Sequence, residues 1–211
     1  MRSPASPAMM YGTAVHTVIQ GLMIGQPVDI LVAVKKAVAK NLASGSAPIK
    51  ADQMRDMALD IGSILNDPGV DSVLRGIKVN PESIETYVEF EIPGVPYPVV
   101  GYIDAIQTTG IPLDIKTSIF DWDDDRAANE IQPMFYLKAL NTDNDEFDHL
   151  VFVKSALIPR VYLIRTHYPG FAERVDKIVV DAWEGMRQWL DPTIPPPCCD
   201  FDRCSCHKIR V

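Results

Sequence analysis

Cysteine is absent from the first 197 positions, since all four cysteines lie in the last fourteen residues. A disulfide framework therefore cannot hold the core together. No stretch reaches the roughly 18 consecutive apolar residues of a membrane span, and residues 1–7 lack the apolar segment of a signal peptide. These absences predict a cytoplasmic protein with no membrane partner.

Positive charge is also scarce. The chain has 20 Lys and Arg against 28 Asp and Glu, a formal net charge of −8 and a pI of about 4.9. This balance argues against a broad nucleic-acid-binding surface, which normally shows as a basic patch. It leaves open a local basic groove, or positive charge supplied by a metal ion or a partner.

The hydrophobic periodicity predicts an α/β fold. With 47% hydrophobic and 23% charged residues, the 211-residue chain suits one soluble domain. The order of elements predicts a mixed central β-sheet flanked by helices over residues 1–191, followed by a Pro- and Cys-rich tail over 192–211. Pro133 must kink its helix or lie near its start. The expected helices are 11–23, 30–42, 52–65, 125–141 and 171–190, and the expected strands are 84–92, 97–107, 111–117, 150–154 and 160–166.

Two aspartates are predicted to meet across a hairpin. Thr108-Thr109-Gly110 separates two strands, and a three-residue loop with Gly110 at positive φ pairs residues symmetrically about Thr109. Asp104 then lies opposite Asp114, where like charges destabilise the pair unless a cation neutralises them. Lys116 projects from the same strand face as Asp114. Two carboxylates and a lysine around one point can hold a divalent metal and position water for attack on a phosphate.

Four short motifs follow one another over about 125 residues. Together they resemble the PD-(D/E)XK nuclease superfamily, and in particular its RecB-like exonuclease branch, much more specifically than any single motif does. The motifs are G-x-x-x-H from Gly12 to His16, G-x-x-D from Gly101 to Asp104, D-x-K from Asp114 to Lys116, and Q-x-x-x-Y from Gln132 to Tyr136.

The resemblance implies a restriction-endonuclease-like core and phosphodiester hydrolysis dependent on Mg²⁺ or Mn²⁺. It makes Asp104 and Asp114 metal ligands, joined by His16 and the backbone carbonyl of Ile115. Hard oxygen ligands suit both ions, and one imidazole tilts the site toward Mn²⁺.

The resemblance also assigns the remaining motif residues. Lys116 would orient or help deprotonate the attacking water and stabilise the phosphorane. Gln132 and Tyr136 would hold Lys116 or the DNA backbone in place.

Each residue also has a structural interpretation. A histidine on an apolar helix, as His16 is, is more often a satisfied core residue. Gln132 and Tyr136 could be ordinary helix positions. The two aspartates could pair with other cations, and a one-residue slip of the hairpin would move them to opposite faces. The acidic run 121–125 reads as a solvated loop, and Glu89 and Glu91 read as the exposed face of their strand.

The tail carries a second group of metal-ligand types. Four thiolates, or three with an imidazole, could close a zinc site, whereas adjacent cysteines give poor geometry for one ion. The spacing does not match the iron–sulfur pattern of some RecB-like nucleases, so zinc, an iron–sulfur cluster and an unliganded tail all remain open. The residues are Cys198, Cys199, Cys204, Cys206 and His207.

Three functional hypotheses are compatible with the sequence. The first is a metal-dependent deoxyribonuclease, an exonuclease serving recombination, repair or phage DNA processing. Its partners would be single- or double-stranded DNA, with a recombination protein or further copies of the chain. The second is a nuclease-fold nucleic-acid-binding or assembly subunit with weak or absent cleavage. The third is a zinc-tail adaptor whose acidic hairpin is incidental.

Overall fold

A mixed five-stranded β-sheet flanked by helices forms the protein. The computed structural model describes residues 6–43, 49–154 and 160–190. The predicted fold class is confirmed. In chain order the elements are α1 (Pro7–Met23), α2 (Ile30–Leu42), α3 (Ala51–Leu65), α4 (Pro68–Gly76), β1 (Val79–Phe90), β2 (Val99–Gln107), β3 (Pro112–Ser118), α5 (Asp124–Ala128), α6 (Gln132–Ala139), β4 (Glu146–Val153), β5 (Arg160–His167) and α7 (Phe171–Leu190).

The strands lie in the order β1-β2-β3-β4-β5. β3 and β4 pair in parallel, and the other neighbours pair antiparallel. The parallel pair lies at the centre, and β4 is buried along almost its whole length. This agrees with the rule that parallel strands are covered on both faces.

The helices pack in two groups around this sheet. One core joins apolar residues of α1 to α4 with the centre of the sheet, and the other joins α6 and α7 with β1, β2 and Phe147. Among the described helices, none is both long and apolar enough to cross a membrane.

One helix starts earlier than predicted, and another was not predicted. α1 begins at Pro7 rather than at residue 11, because the Ser6 side chain accepts a hydrogen bond from the Met9 amide at 3.3 Å and caps the helix. α4 was not predicted, because Asn66-Asp67-Pro-Gly reads as a turn. Asp67 instead caps α4 by accepting from the Gly69 amide at 2.7 Å.

The predicted single helix over 125–141 is wrong. The chain forms α5 and α6, and Pro133 lies in the first turn of α6, where its missing amide hydrogen costs no helix bond. The acidic run is only partly loop, because Asp123 caps α5 and the next two residues are helical. Two strands also begin earlier than expected, β1 at Val79 and β4 at Glu146. The alternating sequence pattern of β1 does not extend before Ile84, where the register of the β1–β2 pair shifts.

Candidate active site

The β2–β3 hairpin has the predicted register. Ala105 pairs with Leu113 and Ile106 with Pro112, and Gly110 has a φ of +84° in the turn. Strand pairing stops one position before the two aspartates. The Asp104 Oδ2 atom instead accepts a hydrogen bond from the Ile115 amide at 2.7 Å. The two strands therefore part at the carboxylates, which line the opening.

This separation also orients the Ile115 backbone. The N–H and C=O groups of one strand residue point to the same strand edge. Since the Ile115 amide points to Asp104, its carbonyl faces the same opening between β2 and β3. The carbonyl thus lies on the side where the resemblance requires it, although its role as a metal ligand stays a prediction.

Helix α1 brings His16 to the same carboxylate. Its Nδ1 atom lies 3.3 Å from Asp104 Oδ1. α1 packs close to β3 at Gly12. A Cβ atom added there would lie only 3.3 Å from the Thr117 hydroxyl. Burial lowers the pKa of His16, but the hydrogen bond and charge of Asp104, with the charges of Asp114 and Glu85, raise it overall. The imidazole is thus held in a negative environment.

A chain of polar contacts connects Lys116 to α6. The Lys116 ammonium lies 2.9 Å from Asp114 Oδ2 and donates to Gln132 Oε1 at 2.8 Å. The Gln132 amide in turn donates to the Tyr136 hydroxyl oxygen. Tyr136 is 7% exposed and stacks on Phe147 with ring centroids 6.2 Å apart, and burial raises its pKa to about 12. Gln132 thus contacts both Lys116 and Tyr136, and the role of this relay in holding the lysine stays a prediction.

Burial makes Asp114 the carboxylate of the site with a clearly raised pKa. It is 5% exposed, and its Oδ2 atom lies 2.9 Å from the Lys116 ammonium. Burial raises its pKa, Lys116 lowers it, and the charge of Asp104 raises it again, with a resulting value of about 6. A buried carboxylate whose ionisation is disfavoured is the kind of group that a further cation can stabilise.

The structure adds Glu85 and Gln20 to the predicted residues. Ile84 pairs with Ala105 and Thr86 with Ile103, so Glu85 lies across from Asp104 on β1. Glu85 has a φ of +51°, just after the register shift between Val79 and Ile84. The Gln20 side-chain amide on α1 donates to Glu85 Oε1 at 2.7 Å and to the Asp104 carbonyl at 3.4 Å.

The sequence patterns did not single out Glu85, which is exposed on β1. The β1–β2 register is the signal that could have revealed it, because it puts positions 85 and 104 opposite each other. The site thus gathers three carboxylates with one lysine and one histidine.

The donor types fit a hard divalent cation. Three carboxylates, one carbonyl and one imidazole are ligands that Mg²⁺ and Mn²⁺ accept. Within residues 6–43, 49–154 and 160–190, however, no three His, Cys, Asp or Glu side chains stand in metal-holding positions. Their oxygens and nitrogens are engaged instead by protein groups, as Asp104 is by His16 and the Ile115 amide. The predicted tail ligands, Cys198, Cys199, Cys204, Cys206 and His207, lie outside the described residues.

Comparisons with known proteins support the fold. No family model matches the chain, and no curated protein matches it. A crystal structure of a candidate exonuclease from Eubacterium rectale aligns over 100% of this chain and 77% of its own, with a TM-score of 0.64 and 16% identity. A crystal structure of SSO0001 aligns over 92% of this chain and 89% of its own, at 14% identity and a TM-score of 0.39, too low to support an argument. The first comparison shows a shared nuclease-like fold.

Proposed function

We propose that the protein is a metal-dependent DNA nuclease of the PD-(D/E)XK superfamily, of the RecB-like exonuclease branch. One observation carries the proposal. The hairpin register and the separation of β2 from β3 bring Asp104 and Asp114 together, beside an ammonium group that α6 holds in place. The fold shared with a candidate exonuclease supports this assignment.

The side chains have distinct roles in this proposal. Asp104 and Asp114 would hold Mg²⁺ or Mn²⁺ with His16, the Ile115 carbonyl and, as a new candidate, Glu85. The ion would supply Lewis-acid activation of the phosphate and its attacking water. The Lys116 ammonium places positive charge where the phosphoryl oxygens develop negative charge. The Gln132–Tyr136 relay fixes that ammonium, so the lysine need not be ordered by the substrate.

DNA is the proposed substrate, and processing of ends in recombination, repair or phage replication is the proposed context. A recombination protein or further copies of the chain are the proposed partners. Zinc or an iron–sulfur cluster on the cysteine tail would be separate from the catalytic ion.

Cleavage by the purified full chain tests the proposal. We expect linear DNA to be degraded with Mg²⁺ or Mn²⁺ and EDTA to abolish the reaction. Asp114→Asn and Lys116→Met should each reduce turnover by about 10² or more, because each removes charge at the reacting phosphate. Asp181→Asn and Lys177→Met are matched controls, since these residues form an exposed ion pair on α7 at 2.8 Å. Equal cleavage by the site variants and the controls would refute the assignment.

A binding or assembly subunit is the second candidate. The acidic chain and the absence of an assembled ligand cluster in the described residues favour it. This candidate expects nucleic-acid or partner binding that is unchanged in Asp114→Asn, with no product that depends on a divalent ion. Titration calorimetry separates the two, since only the nuclease should take up Mn²⁺ in a manner that Asp114→Asn weakens.

A further inference from the structure

An exposed pair of tyrosines lies on the open face of the β1–β2 ribbon. Tyr87 and Tyr102 are directly opposed across the two strands, and their ring centroids are 5.4 Å apart. The rings are 51% and 57% exposed. They meet edge to face at 62°, so they do not cover each other as a parallel stack would.

The register places this pair beside the candidate active site. Glu85 and Asp104 are each two residues away from a tyrosine along the same strand. Two residues along a strand span about 7 Å. The aromatic pair therefore lies close to the carboxylates of the candidate site along the β1–β2 ribbon.

The surroundings of the tyrosines exclude a phosphate clamp. Tyr87 donates its hydroxyl to Glu89, and the neighbouring pair toward the site is Glu85 and Asp104. These acidic groups cannot hold phosphates by ion pairing, whether of a duplex or of a single strand, so binding here must come from contacts with bases. Stacking on a base face needs no positive charge, but it does need a base that is not covered by its neighbours in a duplex.

We propose that Tyr87 and Tyr102 form a stacking platform for the bases of an unpaired nucleic-acid strand that enters the candidate site. The proposal rests on the proposed nuclease function for its location, and it narrows the substrate to single-stranded ends or overhangs. Val100 extends the platform, because it is 57% exposed on the same face, opposite Glu89.

Fluorescence anisotropy of the full chain with labelled oligonucleotides tests this site in EDTA, where the proposed cleavage cannot proceed. The probes are a single-stranded 12-mer and a blunt 12-base-pair duplex. The wild type should prefer the single strand, with a shallow salt dependence. Replacing both rings, Tyr87→Ala with Tyr102→Ala, should weaken single-strand binding about tenfold or more.

Matched variants separate stacking from other effects. Tyr87→Phe with Tyr102→Phe should bind within about twofold of wild type, because the rings remain and only the hydroxyls are lost. Tyr97→Ala should also bind normally, since that exposed tyrosine packs instead on Trp183. If the double alanine variant does not melt cooperatively, Tyr102→Ala alone is measured. Its affinity for the single strand should be lower than that of wild type, with a smaller loss than the tenfold expected for the double variant.

Several outcomes would overturn the platform: no single-strand binding by wild type, equal binding of duplex and single strand, or unchanged binding by the alanine variants. A parallel cleavage assay with Mn²⁺ distinguishes this failure from failure of the proposed function. Cleavage with unchanged alanine-variant binding removes only the platform. Ring-dependent binding without cleavage by wild type leaves the platform and removes the nuclease.

Discussion

Replacing Asp114 by asparagine should stabilise the protein at neutral pH while it removes activity. In the folded state the pKa of Asp114 is raised from 3.8 to about 6, mainly by burial. Each pKa unit corresponds to about 1.4 kcal/mol, so ionising this carboxyl costs the folded state about 3 kcal/mol. Asparagine resembles the protonated acid and avoids that cost.

The pH dependence gives the prediction its sign. The folded-state pKa lies above the unfolded one, so the contribution of Asp114 to stability is lost as pH rises from about 4 to about 6. Asp114→Asn should therefore melt roughly 6–12 °C higher than wild type at pH 7, as a chain of this length gains about 2–4 °C per kcal/mol. At pH 4 the two melting temperatures should converge. Calorimetry in EDTA measures both.

Asp148→Asn is the matched control, because Asp148 is also buried but fully paired. The Arg165 side chain donates to its two oxygens at 2.8 and 2.9 Å, and Gln107 donates at 2.6 Å. Removing this charge should lower the melting temperature at pH 7. The reasoning about Asp114 is refuted if Asp114→Asn melts no higher than wild type at pH 7, or if its advantage is as large at pH 4.

Two further predictions concern neighbouring groups. Burial lowers the pKa of His149 to about 4, so its contribution to stability, about 3 kcal/mol, is lost as pH falls from about 6.5 to about 4. His149→Phe should reduce the pH dependence of the unfolding free energy measured by urea denaturation, and an unchanged dependence would contradict this. Glu85→Gln should keep the hydrogen bond from Gln20 but lower the pKa of His16, because a nearby negative charge is lost; an unshifted imidazole titration by NMR would contradict this.

The hairpin at the centre of the site could be predicted because its signals are local. Gly110 supplies the turn, the alternation of the strands fixes the register, and Asp104 and Asp114 follow from that register. The i, i+4 spacing of Gln132 and Tyr136 likewise placed them on one face of α6, where they contact each other. The contact between this face of α6 and Lys116 on β3 depends on long-range packing.

Other features depend on contacts that the sequence pattern does not encode. Glu85 has a positive φ, and the paired strand β2 determines which acid faces Asp104. Asp148 looks like another acid in a β-rich stretch, but β5 supplies Arg165 directly opposite it. Both residues take their surroundings from a partner strand that is distant along the chain.

The contrast between Asp148 and Asp114 bears directly on function. Both carboxylates lie in the central strands and are almost fully buried. Asp148 accepts hydrogen bonds on both oxygens from Arg165 and Gln107, whereas burial and the charge of Asp104 raise the pKa of Asp114. The fold can therefore pair a buried acid when pairing serves only stability. At Asp114 it instead places a second acid, Asp104, nearby and a lysine that α6 draws toward Gln132. Retaining this unfavourable charge is reasonable if a cation stabilises it during function, which connects the predicted stability of Asp114→Asn to the proposed metal site.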